Sequence, residues 1–65
     1  MTICIPEKIK EFRARNGLSQ SRFGELLGVT PQAVCKWENR ICFPDIVLLP
    51  ELARLLNCKI DDFFD

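Results

Sequence analysis

The chain has 65 residues with nine basic and nine acidic side chains, so its formal net charge is zero. A chain this short hides only about 60% of the surface that it exposes when unfolded. It therefore has room for one compact domain, residues 1–65, which excludes an enzyme with a deep cleft between two domains. The neutral balance also argues against the broad cationic surface that many nucleic-acid-binding proteins carry.

The first helix is predicted to begin at Pro6 and to end at Gly17, a residue that favours the left-handed conformation at a helix end. Its apolar face consists of Ile5, Ile9 and Phe12, which have helical spacing. The start of the chain does not have the pattern of a secretory signal peptide, because it has no basic leader and its apolar run is too short.

The second helix is predicted to follow Ser19, a typical N-cap residue, and to stop at Gly28. Three of its apolar residues form the face expected to point inward: Phe23, Leu26 and Leu27. The third helix starts directly afterwards with Thr30 as N-cap and Pro31 at the first helical position. It is expected to bury Val34 and Trp37 and to end near Asn39.

The fourth helix contains Pro50, which is tolerated only in the first turn of a helix. We therefore place the start of this helix near Leu48 or Leu49 and its end at Asn57. A fifth short helix is predicted at residues 61–64. No segment has the alternation of a strand, so the predicted fold is an all-α bundle of five short helices. The longest apolar run, Ile46–Pro50, is far shorter than the roughly 20 residues of a membrane span, so we expect a cytoplasmic protein.

The link between the second and third helices is too short for a wide turn. A connection of this length turns the chain by about 90–120°, which is helix-turn-helix geometry. Gly24 supports it, since a glycine inside a helix costs up to about 1 kcal/mol relative to alanine and suggests a close approach, here expected to the third helix. The free face of the third helix then presents Gln32, Cys35 and Lys36 together.

Residues 20–39, QSRFGELLGVTPQAVCKWEN, resemble the Cro/C1-type (XRE-like) helix-turn-helix family. The flanking segments 16–20 (NGLSQ), 49–53 (LPELA) and 60–64 (IDDFF) are similar to the same family, so the likeness covers about residues 7–64. The resemblance implies a lambda-repressor-like fold and a small transcriptional regulator, in most cases a repressor. It also implies binding to double-stranded DNA as a homodimer on a near-palindromic operator, with the helix at about residues 31–39 in the major groove.

The family's contacts are carried over only to matching positions. The resemblance assigns Gln32 to a base edge, with adenine as its best partner, and Lys36 to guanine or phosphate. The remaining DNA-contact candidates are Gln20, Thr30, Cys35, Asn39 and Arg40, of which Cys35 lies on the same face but is a poor base reader. Position 40 is frequently glycine in the family, so its arginine here is expected to move the left-handed residue to Asn39.

The two adjacent aromatic residues Phe63 and Phe64 cannot both enter one core from a short terminal helix. One is expected to be buried. The other, together with Leu55 or Cys58, is a candidate dimer contact. A dimer of this type places its two recognition helices about 34–36 Å apart, one turn of DNA.

Catalysis, metals and cofactors find no support in the residues. The chain has no histidine, no glycine-rich phosphate loop and no Cys-x-x-Cys pair, so no enzyme activity, zinc site or cofactor is predicted. The four cysteines are interpreted as small structural residues, with Cys35 as the one redox candidate. The alternative function is a protein-interaction module, such as an antitoxin or anti-repressor, that acts mainly through dimerisation or partner capture.

The zero net charge is a cancellation between the two parts of the chain. Residues 1–40 hold seven basic and four acidic side chains, a net charge of +3, whereas residues 41–65 hold two and five, a net charge of −3. Such polarity would orient the domain on a duplex instead of excluding it from one.

Overall fold

A computed structural model describes all residues, 1–65, and confirms the all-α prediction. Its four α-helices are α1 (Ile5–Asn16), α2 (Gln20–Leu27), α3 (Pro31–Glu38) and α4 (Leu49–Leu56). The fifth predicted helix is instead a 3-10 helix, Ile60–Phe63, and another 3-10 helix, Ile46–Leu48, leads into α4. None of the helices is long and apolar enough to cross a membrane.

Side-chain caps start the two central helices where the sequence predicts them. The Ser19 hydroxyl accepts a hydrogen bond from the Arg22 backbone N–H at 3.0 Å, and the Thr30 hydroxyl accepts one from Ala33 at 3.2 Å. Each cap satisfies one of the backbone donors that a helix leaves free at its N-terminus. The sequence therefore determined both the start of α2 and the start of α3.

The end of α3 differs from the prediction by one residue. Asn39 keeps a negative φ of −100°, and the left-handed residue is Arg40, with φ +59°. Asn39 stays near the helical turn because its backbone N–H and its side-chain amide both donate to the Cys35 carbonyl, at 3.1 and 2.8 Å. The chain reverses one position later, where the Ile41 N–H bonds to the Lys36 carbonyl at 2.9 Å.

All four α-helices and the last 3-10 helix contribute to one core. Its eight buried apolar residues are Ile5, Ile9, Phe23, Val34, Trp37, Leu52, Ala53 and Phe63. Phe12 packs at the edge of this cluster, with its ring centroid 5.9 Å from that of Phe23 in an edge-to-face arrangement. The inward faces predicted for α1 and α3 agree with this core, whereas Leu26 of α2 is exposed and its prediction was wrong.

The two ends of the chain pair with each other, and this pairing determines which of the two terminal aromatic residues is buried. Ile3 and Phe64 form an antiparallel bridge, and the Cys4 N–H donates to the Phe63 carbonyl at 2.7 Å. Phe63, the last residue of the 3-10 helix, enters the core, whereas Phe64 follows it in an extended conformation and is 37% exposed. Phe63 is therefore the aromatic residue that was expected to be buried, which removes it from the candidate dimer contacts and leaves Phe64 of the two.

Gly24 is required by the turn that follows α2 and not, as expected, by α3 itself. A Cβ atom at this position would lie 2.6 Å from the Val29 carbonyl oxygen and 3.3 Å from the Thr30 carbonyl carbon. Both atoms belong to backbone and cannot rotate away. We therefore expect Gly24→Ala to lower the free energy of unfolding by about 1–3 kcal/mol in urea denaturation, despite the better helix propensity of alanine.

Ser21→Ala is the matched control for Gly24→Ala, because Ser21 lies in the same helix and is exposed. Its free energy of unfolding should stay within about 0.5 kcal/mol of the parent value. A Gly24→Ala variant as stable as the parent would show that the turn yields easily to the added methyl group.

Candidate nucleic-acid interface

The turn between α2 and α3 is tight and closed by its own backbone. The N–H groups of Gly28 and Val29 both donate to the Gly24 carbonyl, at 2.7 and 2.8 Å, and Gly28 has φ +83°. Val29 is half-buried against the core. These contacts hold the link between α2 and α3 in a tight turn.

The two faces of α3 differ in their partners. Val34 and Trp37 are buried, whereas Gln32 and Lys36 are exposed one turn apart, and half-buried Cys35 lies beside them. Gln32 and Lys36 form no hydrogen bond or ion pair through their side chains within the protein. Their donors are therefore free for an external ligand.

Lys36 is the one unpaired cation on the α2–α3 unit. All five arginines of the chain are in ion pairs: Arg13, Arg15, Arg22, Arg40 and Arg54. Arg22, the other cation of the unit, pairs with Glu25 at 2.9 Å across an exposed helix turn. An exposed ion pair of this kind is weak, so the Arg22 guanidinium can exchange Glu25 for an anion that binds it more tightly.

Three of the predicted contact residues already form side-chain hydrogen bonds within the protein. Thr30 caps α3, and the Asn39 amide donates to the Cys35 carbonyl at 2.8 Å and lies 3.4 Å from the Cys35 sulfur. The Gln20 amide donates to a Glu38 carboxylate oxygen at 3.1 Å. Gln20 keeps one amide N–H available, because a side-chain amide has two donors, whereas the Asn39 amide directs both of its donors at Cys35.

Arg40 links the end of α3 to the start of the chain. Its guanidinium donates to the Ile3 carbonyl at 3.1 Å and pairs with Glu7 of α1 at 2.5 Å. The pKa of Glu7 is lowered, first by a hydrogen bond to its own backbone and then by the hydrogen bond from Arg40. Arg40 is partly exposed and has three further N–H donors, so an additional anion can approach it.

A buried ion pair behind the exposed face was missed by the sequence reasoning. Glu38, the last residue of α3, is only 5% exposed. Arg13 of α1 donates to both of its carboxylate oxygens, at 2.6 and 2.8 Å, and also to the Leu18 carbonyl at 2.9 Å. With the bond from Gln20, this cluster joins α1, α2 and α3 at one point.

The sequence feature that could have indicated this ion pair is the spacing between Val34 and Glu38. Glu38 lies four residues after Val34, so it falls on the inward face of α3, where a charged residue needs a partner. The identity of the partner could not be deduced, because Arg13 is 25 residues away in the chain. Burial raises the pKa of Glu38, but the hydrogen bonds from Arg13 and Gln20 outweigh it, and the net pKa is lowered.

The four cysteines are all free thiols. Burial raises the pKa of the Cys58 thiol, and its neighbours Lys8 and Asp62 act in opposite directions. The thiol form of Cys58 is thereby favoured over the nucleophilic thiolate. Cys35 is half-buried on the free face of α3, where its sulfur accepts a hydrogen bond from the Asn39 amide at 3.4 Å.

Comparisons with protein families and curated proteins agree with this geometry. A helix-turn-helix family model matches residues 9–63. The chain is 39% identical over 60 residues to the uncharacterized HTH-type transcriptional regulator YgzD of Bacillus subtilis, covering 92% of this chain and 91% of that protein. It is 34% identical over 55 residues to the SPbeta prophage-derived uncharacterized HTH-type transcriptional regulator YonR of Bacillus subtilis, covering 85% and 51% of the two chains.

Two solved structures have a similar fold. The P22 c2 repressor in complex with a synthetic operator superposes with a TM-score of 0.83 at 25% identity, covering 100% of this chain and 97% of that chain. A transcriptional regulator from Listeria innocua superposes with a TM-score of 0.85 at 25% identity, covering 97% of this chain and 59% of that chain.

Proposed function

Because the chain belongs to the helix-turn-helix family, we propose that it is a sequence-specific DNA-binding transcriptional regulator that inserts α3 into the major groove. The observation that carries this function is the outer face of α3, where Gln32 and Lys36 are exposed and have no partner in the protein. The likeness to a repressor solved with its operator supports repression as the mode of action. The alternative of a protein-interaction module is not favoured by these likenesses. We propose a cytoplasmic location, which is supported by the likeness to bacterial transcriptional regulators.

The contacts follow from which donors are free. Gln32 can bond an adenine edge in a bidentate manner, and Lys36 can bond guanine acceptors or a phosphate. The second amide N–H of Gln20 and the backbone N–H groups at the start of α2 suit a phosphate. Phosphate contacts for Thr30 and Arg40 would use the donors that their internal bonds leave free, whereas Asn39 would exchange its bond to the Cys35 sulfur for one to phosphate. Cys35 would contribute apolar contact only.

The test of the proposed function is selection of bound sequences from a random pool of duplex DNA, followed by a salt titration of the selected duplex. Phosphate contacts require that the logarithm of the binding constant falls linearly with the logarithm of the salt concentration, with a slope of about −0.9 per contact. Enrichment of a near-palindromic sequence is the expected result for a homodimer. Absence of binding to any duplex at low salt would overturn the proposed function.

Gln32→Ala and Lys36→Ala are expected to weaken binding to the selected duplex without changing the thermal melt. Removal of a bidentate base contact weakens the binding free energy by about 1–3 kcal/mol. On a duplex in which the contacted base pair is changed, Gln32→Ala and the parent should therefore bind equally. If Lys36 contacts phosphate, Lys36→Ala should make the salt slope shallower by about 1. Lys59→Ala removes the same charge from an exposed site in the C-terminal part of the chain and serves as the matched control. Two variants that bind as tightly as the parent would remove α3 from the interface.

A further inference from the structure

The segment that joins α3 to α4 holds four of the eight large apolar side chains that the folded domain exposes. The exposed fractions are 70% for Ile41, 39% for Phe43, 79% for Ile46 and 74% for Val47. All four lie within seven consecutive residues, in which Asp45 is the one charged side chain. We call residues 41–47 the apolar segment.

The apolar segment is close to the proposed DNA surface but is unsuited to DNA. It begins three residues after α3 ends at Glu38, so it leaves the recognition helix directly. It has no lysine or arginine, and Asp45 would be repelled by phosphate. Exposed aliphatic side chains concentrated in this way are typical of a surface that another protein covers.

The size of the apolar segment limits what can cover it. A stable protein–protein interface takes about 800 Å² from each partner, which would be about a fifth of the 4281 Å² surface of this domain. Four exposed side chains from one short segment do not supply that area. The occupant must therefore be held nearby by something else, which DNA does for two copies on one operator.

We propose that the apolar segment is the contact between two copies of this chain bound to adjacent half-sites, an inference that rests on the proposed function. In a two-fold arrangement, the same patch of each copy meets its equivalent in the other. The copies then bind DNA cooperatively although the free protein is monomeric, because the DNA raises their effective concentration. Burial of Ile46 and Val47 at this contact supplies the favourable free energy for the cooperativity.

The C-terminal residues that the sequence suggested as dimer contacts offer less apolar surface. Phe63 is buried, Leu55 packs against the core, and Phe64 is 37% exposed. Phe64 also lies in the pairing of the two chain ends through its bridge to Ile3. The C-terminal contact is therefore the rival that the experiment must separate from the apolar segment.

The experiment compares the parent with Ile46→Gln/Val47→Gln and with Phe64→Gln on two duplexes. One duplex is the sequence selected from the random pool, and the other has one half-site scrambled. Glutamine changes no charge, so repulsion from DNA does not enter the comparison. The ratio of second-copy to first-copy affinity is measured by gel shift, and the oligomeric state of the free protein is measured by sedimentation.

The double variant should bind the scrambled duplex like the parent but lose about tenfold or more in the affinity ratio, since burial of one aliphatic side chain is worth a factor of that order. Phe64→Gln should keep the ratio. Unchanged cooperativity in the double variant, or its loss in Phe64→Gln alone, overturns the contact, as does a parent that is already dimeric without DNA through another surface. If the double variant unfolds, Ile41→Gln is judged by the same outcomes.

The experiment also separates this contact from the proposed function. If the parent protein bound neither duplex, both the contact and the proposed DNA-binding function would be overturned. Binding of the selected duplex, with both half-sites intact, without cooperativity would overturn the contact alone and leave the DNA-binding function in place.

Discussion

Replacing Arg13 by methionine is expected to lower the free energy of unfolding by about 3–5 kcal/mol, because it leaves the buried Glu38 carboxylate without its counter-ion. Arg13 supplies both hydrogen bonds that close the pair, at 2.6 and 2.8 Å, and the Glu38 side chain is 4% exposed. Methionine keeps much of the aliphatic length, so the loss reports on charge and hydrogen bonding more than on packing. Urea denaturation followed by far-UV circular dichroism measures it.

Arg15→Met is the matched control for Arg13→Met. Arg15 pairs with Glu11 at the same 2.6 Å distance, but both side chains of that pair are about 70% exposed. An exposed pair within one helix contributes only about 0.3–0.5 kcal/mol. The double variant Arg13→Met/Glu38→Leu should regain most of the lost stability, since a buried ion pair can be replaced by apolar residues at little cost. Equal losses for Arg13→Met and Arg15→Met would contradict the structural role of the buried pair.

The same pair predicts how stability depends on pH. The folded-state pKa of Glu38 is lowered from its ordinary value of 4.5. Below that value the unfolded chain takes up the proton first, so the stability contributed by Glu38 is present above pH 4.5 and is lost as the pH falls through the lowered pKa. Without Arg13, burial would instead raise the pKa of Glu38. The stability difference between parent and Arg13→Met should therefore shrink on acidification below pH 4.5, and a constant difference would contradict the assignment.

Trp37→Ala is expected to unfold the domain at room temperature or nearly so. Trp37 is a buried member of the core on the inner face of α3, and deletion of a large aromatic side chain from a core costs about 3–5 kcal/mol. A domain this small has little stability to lose. The expected result is the loss of a cooperative thermal transition, measured by far-UV circular dichroism because the variant lacks the only tryptophan.

Trp37→Phe and Leu26→Ala are the controls for Trp37→Ala. The phenylalanine variant keeps an aromatic ring in the core and should retain a cooperative melt at a lower temperature. Leu26 is an exposed apolar residue, so its truncation should stay within about 0.5 kcal/mol of the parent. A Trp37→Ala melt close to that of the parent would contradict the placement of Trp37 in the core.

Local signals in the sequence predicted most of the fold. The caps Ser19 and Thr30 act within three residues along the chain, so their hydrogen bonds could be predicted from residue type and position alone. The burial of Val34 and Trp37 followed from helical periodicity in the same way. The exposure of Gln32 and Lys36 could then be predicted as well, because these residues lie on the side of α3 opposite to its buried face.

Contacts between distant parts of the chain decided the remaining features. The pairing of Ile3 with Phe64 determined which terminal aromatic is buried, and no local pattern predicts a bridge between two chain ends. Arg40 takes the left-handed conformation at the end of α3 and binds Glu7 and the Ile3 carbonyl, which lie more than 30 residues away in the chain. Propensity alone favoured Asn39 for that conformation.

The sequence by itself determined one small helical domain, its helix-turn-helix and the polar face of α3, because periodicity, caps and turn residues act over a few positions. It also showed that the zero net charge conceals a basic first part and an acidic second part. Only the tertiary structure decided which charges are free. It pairs every arginine and leaves Lys36 unpaired on α3, since an ion pair depends on distances in space that the order of residues does not contain.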